Sequence, residues 1–280
     1  GLCHARNIPV SLVNGRMSER SFQTWQKFPH VARRMLEHFV WLAARSVRDA
    51  EYFEQLSGRP VSLVGAIKQV AHPLPVQVEQ LVQMKKRIGH RPIFLAASTH
   101  EGEEEVLAET LALLRKNYPT LLMIIVPRHP ERGAALATWF GGAPRRFCNQ
   151  WPTEHSSVWI CDTLGELGLF YRVASCAFVG NSLRSTKTGG GGHNPFEPVQ
   201  LGCPIATGPM VQNFSAAFEN LETGVETVEN ASELAVWVAK MLSKPYAAKE
   251  QAEKAQSLFV QHSALLADLT QKTLSLLAKC

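Results

Sequence analysis

The chain has 280 residues, 45% of them hydrophobic and 19% charged, a balance that excludes extended disorder and suits a globular protein of about two domains. Its longest apolar runs fall short of the roughly 18–20 residues a membrane-spanning helix needs, and no charged segment followed by an apolar run marks a signal peptide. The net charge is +5, unevenly placed: residues 1–90 carry 13 Lys and Arg against 6 Asp and Glu, and residues 91–280 carry 16 against 18.

In chain order, Ile8–Val13, Phe39–Ala43 and Val61–Val64 read as strands, with helical spacing over Val31–His38 and Arg48–Leu56. Three strands make a poor free-standing domain, so residues 1–70 are expected to be the latter part of an α/β domain. Residues 71–90, with Pro73, Pro75 and the charged helical stretch Val76–Arg87, are expected to be a linker. From residue 91 short apolar runs alternate with helical patterns: Ile93–Ala97, Leu121–Val126, Val158–Cys161, Cys176–Gly180, Pro204–Thr207 and Gly224–Val228 are the strand candidates. This alternation implies a parallel sheet covered on both faces, hence a Rossmann-like domain over 91–246. Ser98 and Glu101 have capping-box spacing, which predicts a helix starting there. After Pro245 a long amphipathic helix, 247–280, closes the chain. Two α/β domains with a final returning helix is the GT-B arrangement.

Six cysteines are scattered without a CxxC pair, which reads as reduced thiols, with Cys161 and Cys176 as buried small hydrophobes. The ten histidines show no metal-ligand spacing, so no metal site is expected. GxxxxGK followed by Ser or Thr, HExxH and GxSxG are all absent, which sets aside P-loop, zincin and hydrolase-elbow chemistry. The basic first third suits an anionic partner such as a phosphorylated lipid or a membrane surface, and a solvated surface face gives the same count. Nucleic acid is not expected, because no aromatic-interleaved basic motif occurs.

In open α/β sheets ligands bind beyond the carboxyl ends of the strands, so the loops there are the candidates. The loop Asn181–Pro198 contains four consecutive glycines, which allow positive φ and close backbone approach. Pro195 sits where a helix would begin, free N–H groups at that start would hold a phosphate, and Glu197 would accept from ribose hydroxyls. A flexible loop followed by an ordinary helix is the bland alternative. Pro127–Arg132 offers Arg128 as a planar fork for phosphate or carboxylate and His129 as donor or acceptor. In Asp162–Leu167 the backbone could read a base edge, with Asp162 and Thr163 more simply capping the next helix. In Ala97–Glu104, Ser98, Thr99 and His100 are expected near the donor site, with Glu101, Glu103 and Glu104 as dipole-compensating surface acids. In the first third, Asn14–Ser21 and Gly65–Lys68 follow strands; Arg16, Arg20, Ser21 and Lys68 would face the cleft of a two-domain transferase, and a solvated loop is the alternative.

Taken in order, Ala-Ala-Ser-Thr-His-Glu-Gly-Glu-Glu, Pro-Arg-His-Pro-Glu-Arg, Asp-Thr-Leu-Gly-Glu-Leu, Gly-Gly-His-Asn-Pro-Phe-Glu-Pro and Gly-Pro-x-x-x-Asn-Phe resemble the 3-deoxy-D-manno-octulosonic acid (Kdo) transferases of Gram-negative bacteria. The early Val-Asn-Gly-Arg-Met-Ser-Glu-Arg-Ser and Gly-Ala-Ile-Lys are similar to that family too, so the resemblance spans the whole chain. It implies a GT-B enzyme that moves Kdo from CMP-Kdo to the lipid A precursor, without a metal, at the cytoplasmic face of the inner membrane. It also implies a CMP site formed by Arg128, His129, Gly191, Gly192, His193, Asn194 and Glu197, with Asn213 and Ser98 nearby, and a basic acceptor side.

The family normally begins well upstream, with a membrane anchor and the catalytic carboxylate. The resemblance therefore implies an N-terminally truncated chain whose base lies before Gly1. The stretch Arg184–Gly190 is about four residues longer than the corresponding link in the family, which either reshapes the phosphate contact or bulges into solvent. The alternatives carried forward are a UDP-sugar transferase of the same fold and a non-catalytic nucleotide-binding module that has lost its acceptor half.

Overall fold

The computed structural model describes every residue except 1, 2, 4, 5, 7, 64–72 and 278–280, and gives the backbone alone for 216, 220, 222, 261–270, 272, 273, 276 and 277. The chain divides into two compact units, residues 1–71 with 260–280, and residues 72–259.

The first unit contains three parallel strands in the order β1-β2-β3, with β1 at Val10–Gly15, β2 at Phe39–Ala44 and β3 at Ser62–Leu63. Helices α1 (Glu19–Gln26), α2 (Pro29–Glu37) and α3 (Val47–Ser57) connect them. Helix α1 was not expected, because only Phe22 and Trp25 supply an apolar face. Its start is fixed locally instead, by Ser18 accepting from the Ser21 backbone at 3.3 Å. Phe22 stacks on Tyr52 at 4.0 Å between ring centroids and joins Leu36, Leu42, Phe53 and Leu56 in the unit's core. Helix α3 is capped by Ser46 and ends at Gly58 in the left-handed region, the usual chemistry of helix termination.

The second unit begins with α4 (Val78–Ile88). Met84 and Ile88 on this helix are buried in the unit's core, so residues 78–88 of the expected linker are not a free connector. Charged residues on its outer face hid that apolar seam. Next come β4 (Ile93–Thr99), α5 (Glu104–Arg115), β5 (Leu122–Pro127), α6 (Gly133–Trp139) and β6 (Val158–Ile160). They are followed by α7 (Leu167–Val173), β7 (Cys176–Val179), α8 (Phe196–Gln200), β8 (Ile205–Thr207), α9 (Ser215–Leu221), β9 (Val225–Thr227), α10 (Ala231–Ser243) and α11 (Pro245–Leu277), of which only the part up to Phe259 belongs to this unit. All six strands are parallel, in the order β6-β5-β4-β7-β8-β9.

Alternation along each strand sends neighbours to opposite faces. Leu95, Ala97, Ile124 and Val179 pack with α4, α7, α8 and α11 on one side. Phe94, Ala96, Ile125 and Phe178 pack with α5, α6 and α10 on the other. A sheet buried on both faces needs continuous apolar strands, and each of the larger side chains, such as Leu95 or Phe94, contributes about 1.5–3 kcal/mol by its burial. Cys161, Cys176 and Cys203 are buried free thiols, and burial pushes all three well above the usual thiol range. Among the described residues no helix is long and apolar enough to cross a membrane.

Strand order places β4, the unit's first strand, beside β7, its fourth. The order in which strands are added reverses at that pair, and in such sheets the loops leaving the two strands diverge to open a crevice.

Candidate functional site

The carboxyl ends of β4, β5 and β7 build one polar cluster. Strand β4 ends in a kink at Ser98, whose φ of 56° lies in the left-handed region. The helix therefore does not start at the Ser98–Glu101 box. It starts at Glu104, after Glu103. The reason is Glu103, which is fully buried. Its carboxylate accepts backbone N–H bonds from His100 (3.0 Å), Asn181 (2.7 Å), Ser182 (2.9 Å) and Leu183 (3.2 Å). Burial raises its pKa, and the four N–H bonds oppose that rise. Glu104 is buried as well, accepting from Thr99 at 3.1 Å and pairing with Arg132 at 2.8 Å.

Glu103 and Glu104 are thus interior groups rather than surface acids. Gly180 completes this packing: a Cβ there would lie 2.7 Å from the Ser98 carbonyl and 2.8 Å from Glu103 Oε2. An acid flanked by glycine after a strand was the available signal, but three of its four N–H donors are distant in the chain and cannot be read from spacing.

The glycine loop folds over this plug. Gly189, Gly190, Gly191 and Gly192 all have positive φ. Gly192 N–H donates to Asn181 O at 2.7 Å and Gly191 N–H to Met210 O at 3.2 Å, while Asn213 N–H returns to Gly191 O at 2.9 Å. A Cβ on Gly191 would sit 2.2 Å from Asn213 Nδ2, so Gly191 is needed for close approach to the Gly208–Phe214 loop. Asn213 is thereby joined to the glycine turn.

The start of α8 is a poorer phosphate cradle than its sequence promised. Pro195 and Pro198 have no N–H, and Asn194 Oδ1 accepts the Phe196 N–H at 3.1 Å. Among the described residues the His193 and Asn194 backbone N–H groups make no hydrogen bond. Asn194 Nδ2 donates to Glu197 Oε1 at 3.2 Å, and burial raises the Glu197 pKa against that bond and the Arg128 charge.

His193 Nε2 meets His100 Nε2 at 2.9 Å, and the edge of His129 approaches His100 with centroids 5.6 Å apart. Burial lowers both ring pKa values to about 4, reinforced for His100 by His129, Arg132 and Arg128, and for His193 by His100, Arg128 and His129. Two neutral rings beside exposed Arg128 and His129 make a site that attracts anions while presenting uncharged hydrogen-bonding groups. Arg128, His129, His193 and Glu197 thus influence one electrostatic neighbourhood, adjoined by Ser98, Gly191, Gly192, Asn194 and Asn213.

The stretch Arg184–Gly190 is tied to the loop after β4. Lys187 pairs with Glu101 through its side chain at 2.7 Å and its N–H reaches Glu101 O at 2.8 Å. Gly102 has no room for a Cβ, which would fall 2.0 Å from Ser185 O.

The loop after β6 is closed on itself. Asp162 is buried and accepts from Arg145 Nε at 2.8 Å, Arg145 Nη2 at 2.6 Å and Phe147 N at 3.0 Å, so it ties loops rather than capping a helix. Glu166 holds Arg146 through two bonds, at 3.1 and 2.6 Å. In the first unit, Arg16 and Ser21 line a cavity of about 350 Å³ among Leu12, Trp25 and Phe53. Arg20 lies exposed on α1, and Lys68 lies outside the described residues. Among the described residues no group of three or more His, Cys, Asp or Glu could hold a metal ion.

Residues 2–71 match the family model described as 3-deoxy-D-manno-octulosonic-acid transferase (kdotransferase). The 3-deoxy-D-manno-octulosonic acid transferase of Haemophilus influenzae is 34% identical over 77% of this chain and 51% of its own length. The chain spans about half the length of the curated relatives it matches. Among solved structures, the C-terminal CMP-Kdo binding domain of WaaA from Acinetobacter baumannii is 30% identical, with a TM-score of 0.60 over 65% of this chain and 96% of that one. Trehalose-6-phosphate synthase OtsA, at 13% identity and a TM-score of 0.53 over 96% of this chain and 68% of that one, shares the fold alone. The fold is α/β of the GT-B type. The chain belongs to the 3-deoxy-D-manno-octulosonic acid transferase family.

Proposed function

We propose that this chain carries the donor-binding part of a Kdo transferase, holding CMP-Kdo at the crevice between β4 and β7. The observation that carries the reading is the 30% identity to a CMP-Kdo binding domain covered over 96% of its length. The geometry supports specific roles. Arg128 faces the donor phosphate with the His193 and Asn194 N–H groups, and Glu197 accepts from the ribose hydroxyls. Gly191 and Gly192 shape the turn rather than donate, because their N–H groups are used inside the fold. His129 and Ser98 border the site, and Asn213 braces the turn. No metal enters this reading.

The acceptor is the lipid A precursor, met at the cytoplasmic face of the bacterial inner membrane, with Arg16, Arg20, Ser21 and Lys68 on the acceptor side. The net positive charge of residues 1–90 supports an anionic acceptor.

Calorimetry with CMP tests the donor assignment. Glu197→Ala is expected to weaken CMP binding at least tenfold, since a hydrogen bond to a charged group contributes about 1.5–3 kcal/mol. Equal affinity for CMP and UMP would sink the Kdo assignment and favour a UDP-sugar enzyme of the same fold.

A further inference from the structure

The hydroxyl of Thr188 joins three other side chains. Its Oγ1 lies 2.9 Å from Asn181 Oδ1, 3.1 Å from His100 Nδ1 and 3.2 Å from Thr186 Oγ1. His100 continues the chain through its Nε2, 2.9 Å from His193 Nε2. Proton counting decides the direction of every bond in this series.

A hydroxyl has one proton to donate and two lone pairs. Asn181 Nδ2 donates to the Gly190 carbonyl at 3.3 Å, which fixes the amide with its oxygen toward Thr188; the flipped amide would set two oxygens against each other. Asn181 Oδ1 can only accept, so the Thr188 proton is committed there. Thr188 Oγ1 must then accept from His100, whose proton therefore sits on Nδ1. A neutral ring protonated at Nδ1 keeps a lone pair on Nε2, so His193 must donate from its own Nε2. Neutral His193 is then left with an acceptor nitrogen, Nδ1. Both rings are held neutral near pH 7 by burial and by the surrounding positive charge.

We propose that Thr188 is a positioning residue of this site: it locks His100 in the Nδ1–H tautomer and His193 in the Nε2–H tautomer, so that His193 Nδ1 accepts from a ligand hydroxyl. The functional half of this statement rests on the donor-site reading above; the tautomeric half does not. CMP carries ribose hydroxyls and is a suitable probe. Thr188 lies at the surface, so replacing it tests the hydrogen bond without opening the core.

The experiment uses the full chain with nitrogen-15-labelled histidine. Long-range proton–nitrogen spectra are expected to show His100 protonated at Nδ1 and His193 at Nε2. In Thr188→Val, which keeps the shape and removes the hydroxyl, His100 is expected to populate the other tautomer. CMP affinity should fall at least threefold, and Thr188→Ser should restore both readouts. His100 protonated at Nε2 in the wild type, or unchanged tautomers in Thr188→Val, would overturn the proposal. So would altered tautomers with CMP affinity unchanged. A wild-type chain with the expected tautomers and no CMP binding would instead remove the donor-site reading and leave the tautomer assignment standing.

Discussion

The loops after β6 and those after β4, β5 and β7 are both rich in charged side chains, and they use them in opposite ways. After β6, Asp162 and Glu166 are each gripped by an arginine, and Asp162 also takes the Phe147 N–H. At the β4–β7 crevice the buried acids Glu103 and Glu104 are satisfied internally. Arg128, by contrast, is in no ion pair among the described residues, and the His193 and Asn194 N–H groups keep their hydrogen bonds to give. A polar loop whose groups all find partners stabilises the fold. One that keeps selected donors unpaired above a satisfied base is prepared for a ligand. Glu103 supplies that base by accepting four N–H groups, while the outer N–H groups stay unpaired among the described residues.

The largest expected effect tests the base itself. Glu103→Gln replaces one acceptor oxygen with a donor amide facing backbone N–H groups, and a buried charged hydrogen-bond network lost in this way costs about 3 kcal/mol or more. Urea denaturation reads the loss; a change below about 1 kcal/mol would mean that Glu103 is not the organiser of this loop.

The contrast between the loops is sharpened by a matched pair of variants. Arg128→Ala should weaken CMP binding about tenfold, within the range of a lost charge-assisted hydrogen bond, while unfolding stability stays within about 0.5 kcal/mol. Asp162→Asn should do the reverse, costing about 1–3 kcal/mol of stability with CMP affinity nearly unchanged. If Asp162→Asn weakened CMP as strongly as Arg128→Ala, the comparison between closed and open loops would break.

The last contrast is in pH dependence. His100 and His193 titrate near 4 in the folded chain against an ordinary value of 6.5. Between those values the unfolded chain binds more protons than the folded one, so stability falls as pH drops from about 6.5 toward 4. Glu103 and Glu197, whose pKa values are raised, act with the opposite sign, lowering stability as pH rises above the ordinary carboxylate range. Thermal unfolding of the wild type and His100→Asn therefore isolates the histidine contribution: the variant should lose less stability on acidification over that window. An equal or steeper loss in the variant would show that the rings are not held neutral by burial.

Much of the second unit was legible because five of its six strands, β4 to β8, are buried on both faces, while the edge strand β9 is partly exposed. Such strands must be continuous apolar runs, and all six were located to within a residue or two at each end. The loops at their carboxyl ends followed from the same reading. What was not legible has a common cause. Helix α1 has only Phe22 and Trp25 as its apolar face, and α4 hides Met84 and Ile88 behind charge. Helix α1, and the burial of α4 rather than its helicity, are recognised only when the surface they cover is known. Ser98 and Glu101 had the spacing of a cap, yet the helix waited for Glu104 because Glu103 was drawn inward by N–H groups about eighty residues away.

Local pattern alone determined the parallel α/β architecture, the order of the strands' apolar runs and the identity of the glycine turn, because burial and backbone conformation act on neighbouring residues. Only the tertiary structure decided which polar groups are consumed by the fold and which remain to bind. That division depends on pairings between distant segments, such as Glu103 with Asn181 and Ser182, Gly191 with Asn213, and Thr188 with His100. Hydrogen bonds are short-ranged and directional, so whether a donor is free is a property of the assembled crevice and of no single stretch of sequence.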